Sequence, residues 1–274
     1  MIHAVILAVG REILRGRIQD TNSWTITRRL TGLGIQVVRI TACDDDREAI
    51  AREFGRAAQD GAGLLIATGG LGPTDDDLTL AALAQAIGRP LALDPEARRM
   101  VAERYTALAR SGGVDEAALT PPREKMAWIP RGATPLPNPV GAAPGVWLET
   151  GSSVHVALPG VPAEMIAILE GSVLPRLAEK AGRALYLERR ITTLARDESR
   201  VAGLLRQIMR DLPEVFLKSH ATHFGPDVRM EVFASTWAGD RAAGEALLDR
   251  AIERVRADLG DAGPSPDYSR RNRE

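Results

Sequence analysis

The sequence predicts an α/β protein with a mostly parallel sheet and helices on both faces, followed by a small α+β unit. Three observations carry this. Short apolar runs alternate with amphipathic segments through the first half of the chain, as strands joined by helical crossovers do. A glycine-rich turn, Gly69-Gly70-Leu71-Gly72, lies between an apolar run and a helical pattern. After Lys180-Ala181-Gly182 the order of elements changes.

His3 to Val9 is a near-continuous apolar run, as in a strand buried on both faces. Asn22 to Leu33 places Ile26, Leu30 and Leu33 at helical spacing, and Gly34 ends it. Ile35 to Ile40 is β-branched and strand-like. Arg47 to Gln59 is an amphipathic helix carrying Ile50, Phe54, Ala57 and Ala58. Leu64 to Ala67 is the third strand. Leu80, Leu83, Ala84 and Ile87 mark the next helix, stopped by Gly88 and Pro90. Asp94-Pro95 opens another helix, with Val101, Tyr105 and Leu108 on one face. Ser111 to Pro122 reads as loop with one short turn, and the Pro- and Gly-dense stretch Pro130 to Gly145 as a surface connection. Val146–Leu148 and Val154–Leu158 read as paired strands around Gly151-Ser152. Pro162 opens a helix that Pro175 should kink or end.

The second unit reads β-α-β-β-α over residues 185–260. Its strands are expected at Ile191–Leu194, Val215–Ala221 and Val228–Ala234, with a Gly225-Pro226 turn between the last two. Its helices are expected at Glu198–Arg210 and around Leu248, Ile252, Val255 and Leu259. Residues 261–274 lack periodicity and read as a disordered tail.

Composition narrows the function classes. The chain has 274 residues, 45% hydrophobic and 26% charged, the balance of a soluble globular protein. Lys and Arg number 35 against 36 acids, so no overall charge favours nucleic acid or an anionic membrane. Aromatics are 4%, few platforms for stacking bases. One cysteine, Cys43, excludes an intrachain disulfide and a Cys-cluster zinc site. No stretch has the length of a membrane span. The amino terminus enters an apolar strand with no leader pattern, and a cytoplasmic location is expected. Of the histidines, His220 and His223 are expected on opposite strand faces, and His3 and His155 within strands, so a Ser-His-Asp triad is not expected.

The turn after the third strand carries the chemistry. A Gly-rich strand-to-helix turn brings bare backbone N–H groups to a ligand near a helix start, which suits phosphate. It lacks the Lys-Ser/Thr of a P-loop and the spacing of a dinucleotide loop. Asp75, Asp76 and Asp77 follow. Carboxylates beside a phosphate suggest a divalent cation between them. Alternatively, Thr74 and Asp77 form a capping box.

Thr68-Gly69-Gly70-Leu71-Gly72-Pro73-Thr74-x-Asp76-Asp77-Leu78-Thr79 resembles the signature of the molybdopterin-binding-like domain of CinA (competence/damage-inducible) proteins. The related pterin-binding MogA and MoaB proteins carry a similar Gly-Gly-x-Gly…Asp-x-Thr. Gly10-x-Glu12-x-Leu14-x-Gly16-x-Ile18-x-Asp20-Thr21-Asn22 resembles the loop after strand one of CinA proteins. Asp44 and Asp45 fall where that family has an acid after strand two. Asn138-Pro139-Val140-Gly141-x-Ala143-Pro144-Gly145 and Leu158-Pro159-Gly160-x-Pro162-x-Glu164-Met165 match two further family loops. The resemblance covers residues 1–180. Residues 185–260 resemble the KH-like domain that follows in CinA proteins, without the Gly-x-x-Gly loop of nucleic-acid-binding KH domains. The carboxy-terminal deamidase domain of full-length CinA proteins has no counterpart here, so its activity is not expected.

The resemblance implies a metal-dependent hydrolase of a nucleotide-sugar diphosphate, ADP-ribose, yielding AMP and ribose 5-phosphate. The alternatives are a molybdopterin-binding or nucleotidyl-transfer protein of molybdenum-cofactor assembly, and a non-catalytic member of the fold. Expected substrate contacts are Gly69, Gly70, Leu71, Gly72, Thr79, Asn22, Asn138, Gly160 and Glu164. Asp44, Asp76 and Asp77 are the expected ligands of cobalt, magnesium or manganese, and Asp76, Asp77 and Glu12 the expected catalytic acids. Glu164 is a second candidate base. Asn22 and Asp44 have a competing reading as helix caps, as Asp20 does. The resemblance also implies a homo-oligomer, a dimer, with a small nucleotide or pterin ligand and neither nucleic acid nor membrane as partner.

Overall fold

The structure, a computed structural model, describes residues 1–151, 153–182, 184–221 and 229–263. It divides into two compact units, one ending at Gly182 and the other beginning at Arg183. The Gly225-Pro226 turn, His223, Ser152 and the tail beyond residue 263 lie outside the described residues. Among the described residues no helix is long and apolar enough to cross a membrane.

The first unit begins with β1 (His3–Val9), α1 (Arg11–Leu14), α2 (Thr21–Gly32), β2 (Gln36–Cys43), α3 (Arg47–Gln59), β3 (Leu64–Thr68) and α4 (Thr79–Ala86). There follow β4 (Leu91–Leu93), α5 (Pro95–Arg110), α6 (Pro121–Lys125), β5 (Trp128–Pro130) and β6 (Thr134–Leu136). The unit closes with β7 (Gly145–Thr150), β8 (Ser153–Leu158), α7 (Pro162–Ile168), a π turn (Leu169–Val173) and α8 (Leu174–Lys180). Carboxylates start three helices of this unit. Asp20, Asp46 and Asp94 accept the N–H of Ser23, Ala49 and Ala97, each satisfying a donor that the helix leaves free.

The main sheet has the order β2-β1-β3-β8-β7-β6. It is mixed: β2, β1, β3 and β8 run parallel, and β7 alone opposes its neighbours on both sides. The tight β7–β8 connection at Gly151 (φ 56°) forces that reversal. Both faces are buried, which explains the continuous apolar strands. Ala4, Ile6, Leu64, Ile66, Val156 and Leu158 face α2, α7 and α8. Val5, Leu7, Val9, Leu65 and Ala67 face α3 and α4, around Ile50, Phe54 and Leu83. Each fully buried Leu, Ile or Phe contributes about 1.5–3 kcal/mol relative to an exposed one.

One expectation is corrected here, and two are made specific. Pro135 and Leu136, read as surface connection, belong to edge strand β6, where Leu136 is fully buried. An edge strand tolerates a residue without an N–H. The kink or end expected at Pro175 takes the form of a break in the α ladder just before it. The π turn before it interrupts the α ladder, and Pro175 sits in the first turn of α8, where its missing donor costs nothing. The loop Ser111 to Pro122 leads into the short helix α6, opened by Pro121.

The second unit has the order β9 (Leu185–Thr192), α9 (Glu198–Asp211), β10 (Val215–Ala221), β11 (Met230–Ala238) and α10 (Arg241–Leu259). Its antiparallel sheet, β10-β11-β9, packs one face on both helices through Val201, Ile208, Val232 and Val255. β9 lies earlier than Ile191–Leu194. Leu194 instead gives its N–H to Leu259 at the end of α10. β11 extends to Ala238 because Trp237 and Ala238 pair with Tyr186 and Leu185 of the longer β9.

Candidate functional site

The adjacent parallel strands β1, β3 and β8 end side by side, and a glycine stands within two residues of each end: Gly10, Gly69 and Gly160. In open sheets ligands sit beyond such carboxyl ends. The turn after β3 is pinned to both neighbours. Gly69 gives its N–H to the Leu158 carbonyl at 3.0 Å. A Cβ on Gly69 would lie 2.2 Å from the Val9 carbonyl oxygen, and one on Gly160 would lie 3.3 Å from the Gly69 Cα. Side chains are excluded where the three strand ends meet.

Gly69 and Gly70 have φ of 96° and 67°, backbone that only glycine adopts readily. This conformation turns the chain so that the N–H groups of Gly70, Leu71 and Gly72 find no hydrogen-bond partner among the described residues. Successive free N–H groups in a left-handed turn form an anion-binding concavity. From behind, Thr79 Oγ1 donates to the Gly69 carbonyl at 2.7 Å and Thr79 N–H to the Gly70 carbonyl at 3.2 Å.

A cavity of about 630 Å³ opens over this turn, the size of a small-molecule site. Glu12, Asn22, Gly69, Gly70, Leu71, Gly72, Asp76, Asp77, Gly160 and Glu164 all line it. Thr79, Asn138 and Asp44 do not. Thr79 is fully buried and braces the turn. Asn138 clamps its own loop: its Nδ2 donates to the Ala143 carbonyl and to Glu164 Oε2, while its Oδ1 accepts the Gly141 N–H. Asn138 thus fixes Glu164 and the loop whose Ala142 and Ala143 form one cavity wall.

The capping alternatives are also resolved. Asp20, not Asn22, caps α2. Asn22 Nδ2 instead donates to the Gly160 carbonyl at 2.8 Å, and its buried Oδ1 has no partner. Asp46, not Asp44, caps α3. Thr74 and Asp77 form no capping box, because α4 starts at Thr79 without a side-chain cap. Asp77 Oδ2 accepts the N–H and hydroxyl of Thr74, closing a separate turn.

The acids are held by protein groups. Asp44 lies against Arg11, whose Nε is 2.7 Å from Oδ1. That hydrogen bond holds the Asp44 carboxyl below the usual carboxylate range. It is Asp45 that reaches the cavity, with Oδ2 accepting the Arg11 N–H at 2.8 Å. Asp76 and Asp77 share the one hydroxyl proton of Thr74, and this hydrogen bond lowers the Asp76 pKa. Lys125 Nζ bonds the Thr74 carbonyl. Among the described residues no group of three His, Cys, Asp or Glu is placed to hold a metal ion. Asp44, Asp76 and Asp77 therefore do not form such a three-acid donor set.

Sequence reasoning missed part of the wall. Tyr105 of α5 and Met126 after α6 line the cavity, as do Ile13 and Ile18. Tyr105 and Met126 carry no local motif, and the chain brings them to the turn only through tertiary packing. Ile13 and Ile18 stood within the quoted loop motif, where only the polar residues were read as site. Cys43 is buried, which pushes its thiol up to about 12, and nearby acids add to this. It is therefore not a nucleophile at neutral pH.

Residues 5–179 match the family model described as a probable molybdopterin binding domain. The chain is 40% identical over 264 residues to a protein of Pyrobaculum calidifontis, covering 94% of this chain and 98% of that protein. It is 42% identical over 265 residues to a protein of Aeropyrum pernix, covering 96% and 95%. The crystal structure of the protein CinA, of unknown function, from Thermoplasma acidophilum is 39% identical, with a TM-score of 0.57 over 64% of this chain and 98% of that one. Sequence and strand-end architecture agree: the chain belongs to the family of probable molybdopterin binding domains.

Proposed function

We propose that the cavity binds a phosphorylated pterin of the molybdopterin class, with the anionic group on the N–H groups of Gly70, Leu71 and Gly72. The observation that carries this reading is those three unpartnered amides in a left-handed glycine turn. The family match supports the ligand class. Asn22 Oδ1, buried and unpaired, offers an acceptor to a ring N–H. Tyr105 and Met126 supply an apolar wall for a flat heterocycle.

Hydrolysis of ADP-ribose gains no support from the side chains, since among the described residues no three acids are grouped to hold a metal. For the second unit the KH-like reading rests on its β-α-β-β-α order.

Calorimetric titration with hydroxymethylpterin monophosphate and with its unphosphorylated form tests the proposal. The phosphate should strengthen binding about tenfold or more, as charge-assisted hydrogen bonds to the turn form. Equal affinity for the two would remove the glycine turn from ligand binding. Release of AMP from ADP-ribose, with no pterin binding, would replace the proposal by the hydrolase.

A further inference from the structure

A second, smaller cleft of about 200 Å³ adjoins the main cavity. Glu12, Asp45 and Asp76 line both spaces, and Arg11, Arg15 and Arg17 complete the smaller one. Arg15 and Arg17 flank Gly16, whose φ of 64° is left-handed. The turn lets two residues on either side of one glycine present their side chains to the same cleft.

The three arginines are not equivalent. Arg11 is committed to Asp44 through Nε and to Asp45 through its backbone N–H. Arg15 and Arg17 make no salt bridge and no side-chain hydrogen bond among the described residues. Arg15 acts on Asp44 only through space. Three of the four neighbouring acids have other partners, Asp44 with Arg11, Asp45 with the Arg11 amide and Asp76 with Thr74, and only Glu12 has none among the described residues. Arg15 and Arg17 therefore line a cleft that shares Glu12, Asp45 and Asp76 with the main cavity, and their side-chain donors are unused among the described residues.

We propose that Arg15 and Arg17 form a second anion-binding subsite that takes the distal phosphate of a ligand carrying two phosphates. The inference rests on the reading of the Gly70–Gly72 turn as the first anion site. A phosphate extending past Glu12, Asp45 and Asp76 meets like charge, and it needs cations beyond them. Guanidinium groups suit this role, because their planar forks match phosphate oxygens and stay charged at any working pH. The ligand class narrows accordingly, from a monophosphate to a diphosphate-bearing heterocycle.

Titration of wild type and of the Arg15→Ala/Arg17→Ala double variant with hydroxymethylpterin monophosphate and diphosphate tests the subsite. Wild type should prefer the diphosphate by about tenfold or more. In the double variant that preference should fall close to one, and Arg15→Lys/Arg17→Lys should keep part of it. Equal melting temperatures would show that the fold is intact. A double variant that keeps the full preference, or a wild type without one, overturns the subsite and leaves the glycine turn standing. If wild type binds neither compound, the subsite falls together with the turn on which it rests.

Discussion

Gly69 and Gly160 meet back to back, so close that a Cβ on Gly160 would lie 3.3 Å from the Gly69 Cα. Two strand-end turns separated by about 90 residues in sequence thus form one backbone surface beneath the cavity. The backbone groups there are tied within the protein: Gly69 gives its N–H to Leu158 and accepts from Thr79, and the Gly160 carbonyl accepts from Asn22.

Gly70→Val should lose ligand binding and also destabilise the protein. The residue has a φ of 67°, and its Cβ would fall 2.4 Å from Thr79 Oγ1. A β-branched residue in that conformation costs on the order of 1–3 kcal/mol. Thermal melts should show a clear fall. An unchanged melting temperature would mean that the turn can relax to another conformation.

Asp77→Asn should change stability little, by about 1 kcal/mol or less, because the Asn carbonyl can still accept from Thr74. Asp77→Ala removes both hydrogen bonds and should cost more. Added cobalt should leave the wild-type melting temperature where it was, since the acids form no donor set. A cobalt-dependent rise that Asp77→Asn abolishes would restore the metal reading, as a ligand specific to the folded state stabilises it.

Asn22→Ala separates stability from binding. It deletes the 2.8 Å hydrogen bond to the Gly160 carbonyl, but it also deletes a buried oxygen that has no partner. These offset, and the net cost should be about 1 kcal/mol or less. Pterin affinity should fall about tenfold if Oδ1 accepts from the ring. Calorimetry on the variant checks this, and an unaltered affinity would assign Asn22 a purely structural role.

His155 makes stability depend on pH. Burial lowers its pKa below the ordinary 6.5, and the charge of Arg89 adds to this. Its Nε2 lies 2.9 Å from Thr150 Oγ1, and its Nδ1 is buried without a partner. The unfolded chain therefore binds a proton at a higher pH than the folded one, and stability falls as pH drops below about 6.5. Urea unfolding at pH 7.5 and 5.5 should show the loss, and His155→Gln should reduce it. The same pH dependence in the variant would place the loss in other groups.

Strand and helix alternation was legible because it is local. Burial on both faces writes itself into β1 and β3 as unbroken apolar runs, and Asp94-Pro95 marks a helix start within two residues. The glycine turn was legible for the same reason, since backbone conformation at Gly69 and Gly70 depends on the absence of a Cβ there. Partner choice was not. Three consecutive aspartates, Asp44, Asp45 and Asp46, read alike in sequence. The structure gives them an ion pair with Arg11, a place on the cavity wall and a helix cap respectively. A single residue step redirects a side chain, and its target lies elsewhere in the chain. Tyr105 reaches the cavity, Asn138 reaches Glu164, and Asn22 reaches Gly160 by the same rule. By itself the sequence determined which segments form strands and helices and where the backbone turns bare. Only tertiary packing decided which polar groups pair with one another and which are left free for a ligand, because those contacts join residues far apart along the chain.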